Sequence, residues 1–188
     1  MSKTPSTMVA LGTSAPAFAL PEVRTGKTVC LEDFSNQRAL LVMFICRHCP
    51  YVAHVQSELA RVGQDYEGKG VGIVAISAND VASYPDDAPP SLAQQAQAEG
   101  FRFPYLYDES QAVARAYDAA CTPDFFLYQL EADGFRLAYR GQLDDSRPGN
   151  GRPVTGGDLR RALDAVLGGH SVPAPQLPSL GCNIKWRK

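Results

Sequence analysis

Nowhere in the chain do about 18 apolar residues run together, the length a helix needs to cross a bilayer. Met1 to Leu20 has one early lysine and no apolar block of roughly 7–15 residues before a cleavage site. A cytoplasmic protein with no membrane association is therefore expected. No block of like charge or basic stripe occurs: 18 Lys and Arg face 20 Asp and Glu, a net charge of −2, so nucleic-acid binding has no electrostatic footing. Tryptophan occurs once, at Trp186, and the 5 cysteines (30, 46, 49, 121 and 182) are an odd set at irregular spacing, unlike a secreted disulfide framework. A second CxxC, which a structural zinc would require, is missing, as are repeats and low-complexity tracts. The length of 188 residues suits one domain with a substantial core.

What is present is concentrated between Ala39 and Tyr66. Ala39-Leu40-Leu41-Val42-Met43-Phe44-Ile45 has no polar alternation, as expected for a strand buried on both faces of a sheet. Cys46-Arg47-His48-Cys49-Pro50-Tyr51 follows. Val52, Val55, Leu59, Val62 and Tyr66 then recur at steps of three and four, with Gln56, Ser57, Glu58, Arg61, Gln64 and Asp65 opposite: a helix with one buried stripe. Pro50 suits a first helical turn, so Cys46 and Cys49 lie at or just before a helix N-terminus, whose unpaired N–H groups and partial positive charge favour thiolate. Arg47 and His48 add cationic character. Two intervening residues bring the sulfurs within mutual reach, so a mixed disulfide formed at one can be resolved by the other. Cys46 is expected to be solvent-accessible with a depressed pKa, and Cys49 less exposed.

Around this centre, residues 1–11 read as a loose leader, and Thr25-Gly26-Lys27 as the turn of an N-terminal hairpin. Cys30 there has no expected chemical role. Val71 to Ser77 is a second apolar strand, making a parallel strand–helix–strand unit with the first. After the Pro- and Asp-rich loop from Asn79, Ser91 is expected to cap a helix that Gly100 ends. Phe103 to Tyr107 reads as an edge strand, and Asp108 with Gln111 as a capping box for a helix to Tyr117. Thr122-Pro123 precedes Phe125 to Tyr128, the first arm of a hairpin through Asp133-Gly134 whose return arm alternates Phe135, Leu137 and Tyr139. A polar loop, Leu143 to Val154, leads to a last helix, Asp158 to Leu167. Cys121 is expected in the core as a small hydrophobe. Ile184 and Trp186 suggest that the tail docks on the domain.

The order of elements, with CxxC after the central strand and Thr-Pro before the hairpin, resembles the thioredoxin superfamily over residues 12 to 168. Gly12, Ala15-Pro16, Phe18 and the insertion at 79–107 make it more similar to the peroxiredoxin-like branch (alkyl hydroperoxide reductase/thiol-specific antioxidant-like). Phe44 to Tyr51, Cys121 to Phe126, Asp144 to Gly151 and Gly181 to Trp186 resemble a group of bacterial thioredoxin-like proteins. The resemblance implies an α/β thioredoxin-like fold, a central mixed sheet flanked by helices, with an N-terminal hairpin and an insertion before a cis-proline. It covers a domain at 12–168, and the tail at 169–188 is expected, from Ile184 and Trp186, to pack on that domain. It further implies that Cys46 is the attacking thiol, Cys49 the resolving thiol and Pro123 a cis-proline, with Thr122 offering backbone groups to an extended peptide.

Three functions compete. The leading one is a thiol–disulfide oxidoreductase acting on protein or small-molecule disulfides and restored by a thiol reductant, with no cofactor and no metal. The second is a thiol peroxidase. Laid on the peroxiredoxin pattern, Cys49 takes the reactive position and Cys46 that of the Thr, but Val42 stands where the Pro belongs. The third is a soft-metal, copper-type module using Cys46, Cys49 and one of His48, His54 or His170. His54 and His170 read more simply as surface residues. The polar loop is expected to border the active groove, with Asp145 and Arg147 paired with each other or, as the alternative, Arg147 holding an anionic substrate group. Cys182 is a further candidate redox thiol, since the tail is long enough to reach the active face.

Overall fold

The start of the chain alternates too briefly for long strands, and the computed structural model, which describes residues 3–187, shows short ones. β1 spans Lys3–Pro5, and β2 (Ala19–Pro21) pairs with β3 (Thr28–Cys30) as an antiparallel hairpin through the Thr25-Gly26 turn. β4 (Ala39–Phe44) is buried at every residue, as its unbroken apolar run requires. Its alternate side chains feed two cores. Leu41 and Met43, with Ile45 just beyond, face one layer of helices, while Leu40, Val42 and Phe44 face the other side of the sheet.

Helix α1 (Pro50–Asp65) follows with Pro50 in its first turn. β5 (Val71–Ser77) then pairs parallel with β4, Ala39 opposite Val71 and Phe44 opposite Ile76. α2 (Pro89–Glu99) ends at Gly100, whose φ of 71° is the left-handed cap glycine tolerates. β6 (Tyr105–Tyr107) lies parallel at the sheet edge, followed by the short α3 (Ala112–Ala116) and the two-residue strand β7 (Cys121–Thr122). β8 (Asp124–Glu131) pairs antiparallel with β4, placing Asp124 opposite Phe44, and β9 (Gly134–Gly141) closes the hairpin. The central sheet thus runs β6-β5-β4-β8-β9, mixed in direction. α4 (Gly157–Leu167) packs beside α1, and β10 (Leu180–Asn183) lies between β1 and β7 in a separate three-stranded sheet. Among the described residues, no helix is long and apolar enough to cross a membrane.

Four expectations are corrected. The loose leader is structured at Lys3–Pro5, because β10 gives that segment backbone partners. α2 begins at Pro89, before Ser91, since prolines at its start have no N–H to leave unpaired. Gln111 is not the third residue of a capping box. Its φ is 63°, and its amide donates to the carbonyls of Ala78 (2.6 Å) and Lys185 (2.9 Å), so it serves the tail, while Asp108 accepts from Ala114 N–H at 2.9 Å. Glu58 does not lie on a solvated face: it is buried and pairs with Arg160 of α4 at 2.7 Å. A charge on the apparent polar side of α1 thereby becomes a helix–helix contact.

Candidate active site

Cys49 is the residue that caps α1, and Cys46 sits one turn earlier, at the end of β4. Strand pairing brings the opposite wall. Because β8 runs back along β4, the residues just before it, Thr122 at the end of β7 and Pro123, arrive beside the CxxC, and the Thr122–Pro123 peptide is cis. Cys46 Sγ lies 3.4 Å from Thr122 Oγ1, and Cys49 Sγ lies 3.2 Å from the Thr122 carbonyl. The structure thus gathers Cys46, Cys49, Thr122 and Pro123 into one site.

A third sulfur joins them. Cys182 on β10 has its Sγ 2.9 Å from Cys49 Sγ, and all three cysteines are buried. The sequence held Cys182 but gave no sign of its register, which comes from backbone pairing of Cys182 with Thr122.

The expected exposed, acidic Cys46 is corrected: it is fully buried and its pKa is raised. Its thiol is held up by its hydrogen bond to Cys49, then by burial, then by the Asp87 carboxylate. Arg47 gives it no help, because the guanidinium reaches away to α2, to Ser91 O at 3.1 Å and Gln94 Oε1 at 3.2 Å. Instead the anion is favoured at Cys49, brought down to about 5. There Cys46 donates to it, Cys182, Thr122 and the Val52 N–H add further bonds, and burial opposes them. Burial and then the bond to Cys49 push Cys182 up to about 12. Within the trio the anion is therefore favoured at Cys49 over its two neighbours.

Asp87, from the loop the sequence left without pattern, organises the outer side. Fully buried, it accepts the N–H groups of Arg47 (2.8 Å) and His48 (3.1 Å) and the Asn79 amide (2.8 Å), and it pairs with the His48 ring. Burial pushes its pKa up, but the bonds from His48 and Asn79 outweigh this and hold it below the usual carboxylate range. His48 stacks on Tyr84 at 5.0 Å, and its Nδ1 lies 3.9 Å from Cys46 Sγ. Of the histidines proposed as ligands, His48 alone reaches a cysteine of the pair in the contacts seen: His54 bonds Ser146 at 2.8 Å, and His170 packs at Gly168. Cys46, His48 and Asp87 offer three ligand atoms within 4.8 Å of one another, and the ring–carboxylate pair already occupies two of them.

The loop after β9 borders this site. Asp144, Ser146, Arg147 and Pro148 meet Tyr51 and Pro123 around a small cleft. The expected Asp145–Arg147 pair is corrected: Asp145 pairs with Arg152. Arg147 instead donates to the carbonyls of Asp144 (2.6 Å) and Ser146 (2.7 Å) and to Gln142 Oε1 (2.6 Å). Arg147→Ala is therefore expected to cost about 1.5–3 kcal/mol, the range for hydrogen bonds to a charged group, more than an exposed ion pair would contribute. Urea unfolding of the variant checks this.

Behind the site, Asp124 is buried with its Oδ1 unpartnered and its Oδ2 accepting the Ala120 N–H at 3.2 Å. Burial raises it to about 7 against the opposing backbone bonds. Between about pH 4, the unfolded value, and about 7, the folded chain keeps a proton the unfolded chain has released, so stability falls as pH rises through that window. Asp124→Asn is expected to remove this slope and to exceed wild type in stability above pH 7, as urea midpoints across pH will read. Cys121 lies in the core as expected, held up chiefly by burial, and Cys30 is on β3, apart from the site.

A mixed sheet with helices on both sides and a CxxC capping the helix after its central strand define a thioredoxin-like redox fold. Residues 11–137 match the AhpC/TSA family, and the chain belongs to it. It is 28% identical over 116 residues to a "Putative peroxiredoxin" of Mycobacterium tuberculosis, covering 62% of this chain and 68% of that one. Among solved structures, an uncharacterized conserved protein from Geobacillus kaustophilus superposes with a TM-score of 0.95 at 53% identity, over 100% of this chain and 97% of that one. A thiol:disulfide interchange protein of the thioredoxin family from Chlorobium tepidum shares the fold, with a TM-score of 0.62 at 19% identity over 85% and 99% of the two chains.

Proposed function

We propose that the chain is a thiol–disulfide oxidoreductase working through Cys46 and Cys49 against Thr122 and Pro123. The observation that carries this reading is the placement of the two cysteines at the start of α1 against Thr122, with Cys46 Sγ 3.4 Å from its Oγ1 and Cys49 Sγ 3.2 Å from its carbonyl oxygen. Reaction begins when Cys49 takes up the Cys46 proton, against the resting preference for the anion at Cys49, leaving a Cys46 thiolate without an external base. That thiolate attacks one sulfur of a disulfide, forming a mixed disulfide and releasing the other sulfur as a thiolate. Cys49 then attacks the Cys46 sulfur, closing a Cys46–Cys49 disulfide and releasing the second product thiol, and a thiol reductant restores the dithiol. Substrates are protein or small-molecule disulfides, and the chemistry takes place in a compartment that keeps thiols reduced, consistent with a cytoplasmic protein. The test is reduction of insulin or oxidised glutathione with dithiothreitol as donor, wild type against Cys46→Ser and Cys49→Ser.

The family match supports a second reading, a thiol peroxidase. Cys49, the acidic sulfur, would take one oxygen of a hydroperoxide to become a sulfenate, releasing water or an alcohol. A neighbouring thiol would then condense with it to a disulfide. Hydrogen peroxide in place of the disulfide, in the same assay, separates the two.

A further inference from the structure

The tail covers the site in the manner of a bound peptide. β10 pairs antiparallel with β7, Cys182 opposite Thr122 and Asn183 opposite Cys121, so its backbone uses the edge beside Pro123 that an added strand would use. The approach leaves no room for a side chain between them. A Cβ on Gly181 would fall 2.0 Å from the Thr122 carbonyl oxygen. Both ends of the segment are tied down. Ser179 Oγ donates to Pro123 O at 2.6 Å and Ile184 N–H to Ala120 O at 3.2 Å, while Lys185 N–H donates to Asn79 Oδ1 at 2.8 Å. The outcome is that Cys182 is presented to Cys49, the resolving sulfur of the pair, at 2.9 Å.

We propose that Cys182 is a third redox residue, an internal substrate that takes the oxidised state from the Cys46–Cys49 pair. The inference rests on the oxidoreductase reading. Cys182 sulfur attacks Cys49 Sγ of the Cys46–Cys49 disulfide. The Cys49–Cys182 bond forms and the Cys46–Cys49 bond breaks. The departing Cys46 sulfur takes the electron pair, and the proton that leaves Cys182 ends on Cys46. One disulfide replaces another, with no further oxidant or reductant. Cys46 is left as a thiol while the chain remains oxidised, and the tail is fastened covalently over Thr122. An external reductant then reaches Cys46 and Cys49 only by opening the tail bond.

Trypsin reads the outcome directly, because it cuts after Arg38, Arg47, Arg61, Arg161 and Lys185 and so places Cys46, Cys49 and Cys182 on three separate peptides. The reduced full-length protein is oxidised with one equivalent of oxidised glutathione, quenched in acid, alkylated and mapped without reduction. The expected product joins the Cys49 and Cys182 peptides, with Cys46 alkylated. In Cys182→Ser, and in Cys182→Ala in case the serine disturbs packing, the disulfide is expected to move to Cys46–Cys49 and Cys46 alkylation to be lost. A wild-type Cys46–Cys49 disulfide with Cys182 alkylated, unchanged in both variants, overturns the third redox residue and leaves the oxidoreductase reading standing. No disulfide among the three peptides overturns both.

Discussion

Cys46→Ser is expected to bring disulfide reduction down to the uncatalysed rate of the reductant. A serine hydroxyl is not ionised near neutral pH, so no mixed disulfide forms at position 46. Cys49→Ser is expected to stop at the mixed disulfide instead, because Cys46 attacks but nothing of the pair resolves it. Misfolding does not account for either loss. Each serine keeps a polar neighbour, Thr122 Oγ1 at position 46 and the Thr122 carbonyl at position 49, and burying a hydroxyl costs about 1–3 kcal/mol on the scale of protein substitutions. A spectroscopic signature accompanies this. One thiolate per chain should appear in the ultraviolet with a midpoint at about 5, and Cys49→Ser should abolish it. Activity of Cys46→Ser equal to wild type would show that the nucleophile lies elsewhere.

Asp87→Ala should have the largest effect on stability of any change around the site. Three N–H donors and the His48 ring converge on its fully buried carboxylate. Removing the acceptor strands all of them, and breaking such a buried charged network costs about 3–5 kcal/mol. The pH dependence has a definite sign. Because the folded pKa lies below the usual range, the carboxylate's contribution is present above the unfolded pKa of about 3.9. It is lost as pH falls through the depressed folded value. Wild type should therefore lose this part of its stability in acid, and Asp87→Ala should show no such loss. The same variant should make Cys46 easier to ionise, since Asp87 opposes its anion after the Cys49 bond and burial. Chemical unfolding from pH 3 to 8 and alkylation rates at Cys46 read the two consequences. An unchanged unfolding midpoint in Asp87→Ala would show that the network does not hold the CxxC.

The legible features of this chain are those set by local pattern. The unbroken run of β4 and the stripe of α1 announce their burial through neighbouring residues, and Pro50 marks where the helix starts. The CxxC follows from those two elements, as does its position at a helix end. Asp87 was not legible, because its partners come from Arg47, His48 and Asn79 and its own segment has no periodicity. Nor was Glu58, whose burial depends on Arg160, far along the chain. The acidity of the thiols is not legible in the local pattern for the same reason. The local pattern of a helix start with Arg47 and His48 points to an anion at either cysteine, but Arg47 turns away to α2 and the contacts of Cys49 with Cys46 and Cys182 favour the anion at Cys49. Those contacts depend on the register of β10, which Gly181 permits by having no Cβ to strike Thr122.

The most direct measurement of the central claim is a count of thiols during oxidation. Reduced protein titrated with oxidised glutathione, quenched and alkylated at each point, should lose two thiols per chain, both from among Cys46, Cys49 and Cys182, with Cys30 and Cys121 still alkylated. If Cys46, Cys49 and Cys182 all remain as thiols while glutathione stays oxidised, or if the lost thiols are Cys30 and Cys121, the account of this chain as a dithiol redox protein is contradicted.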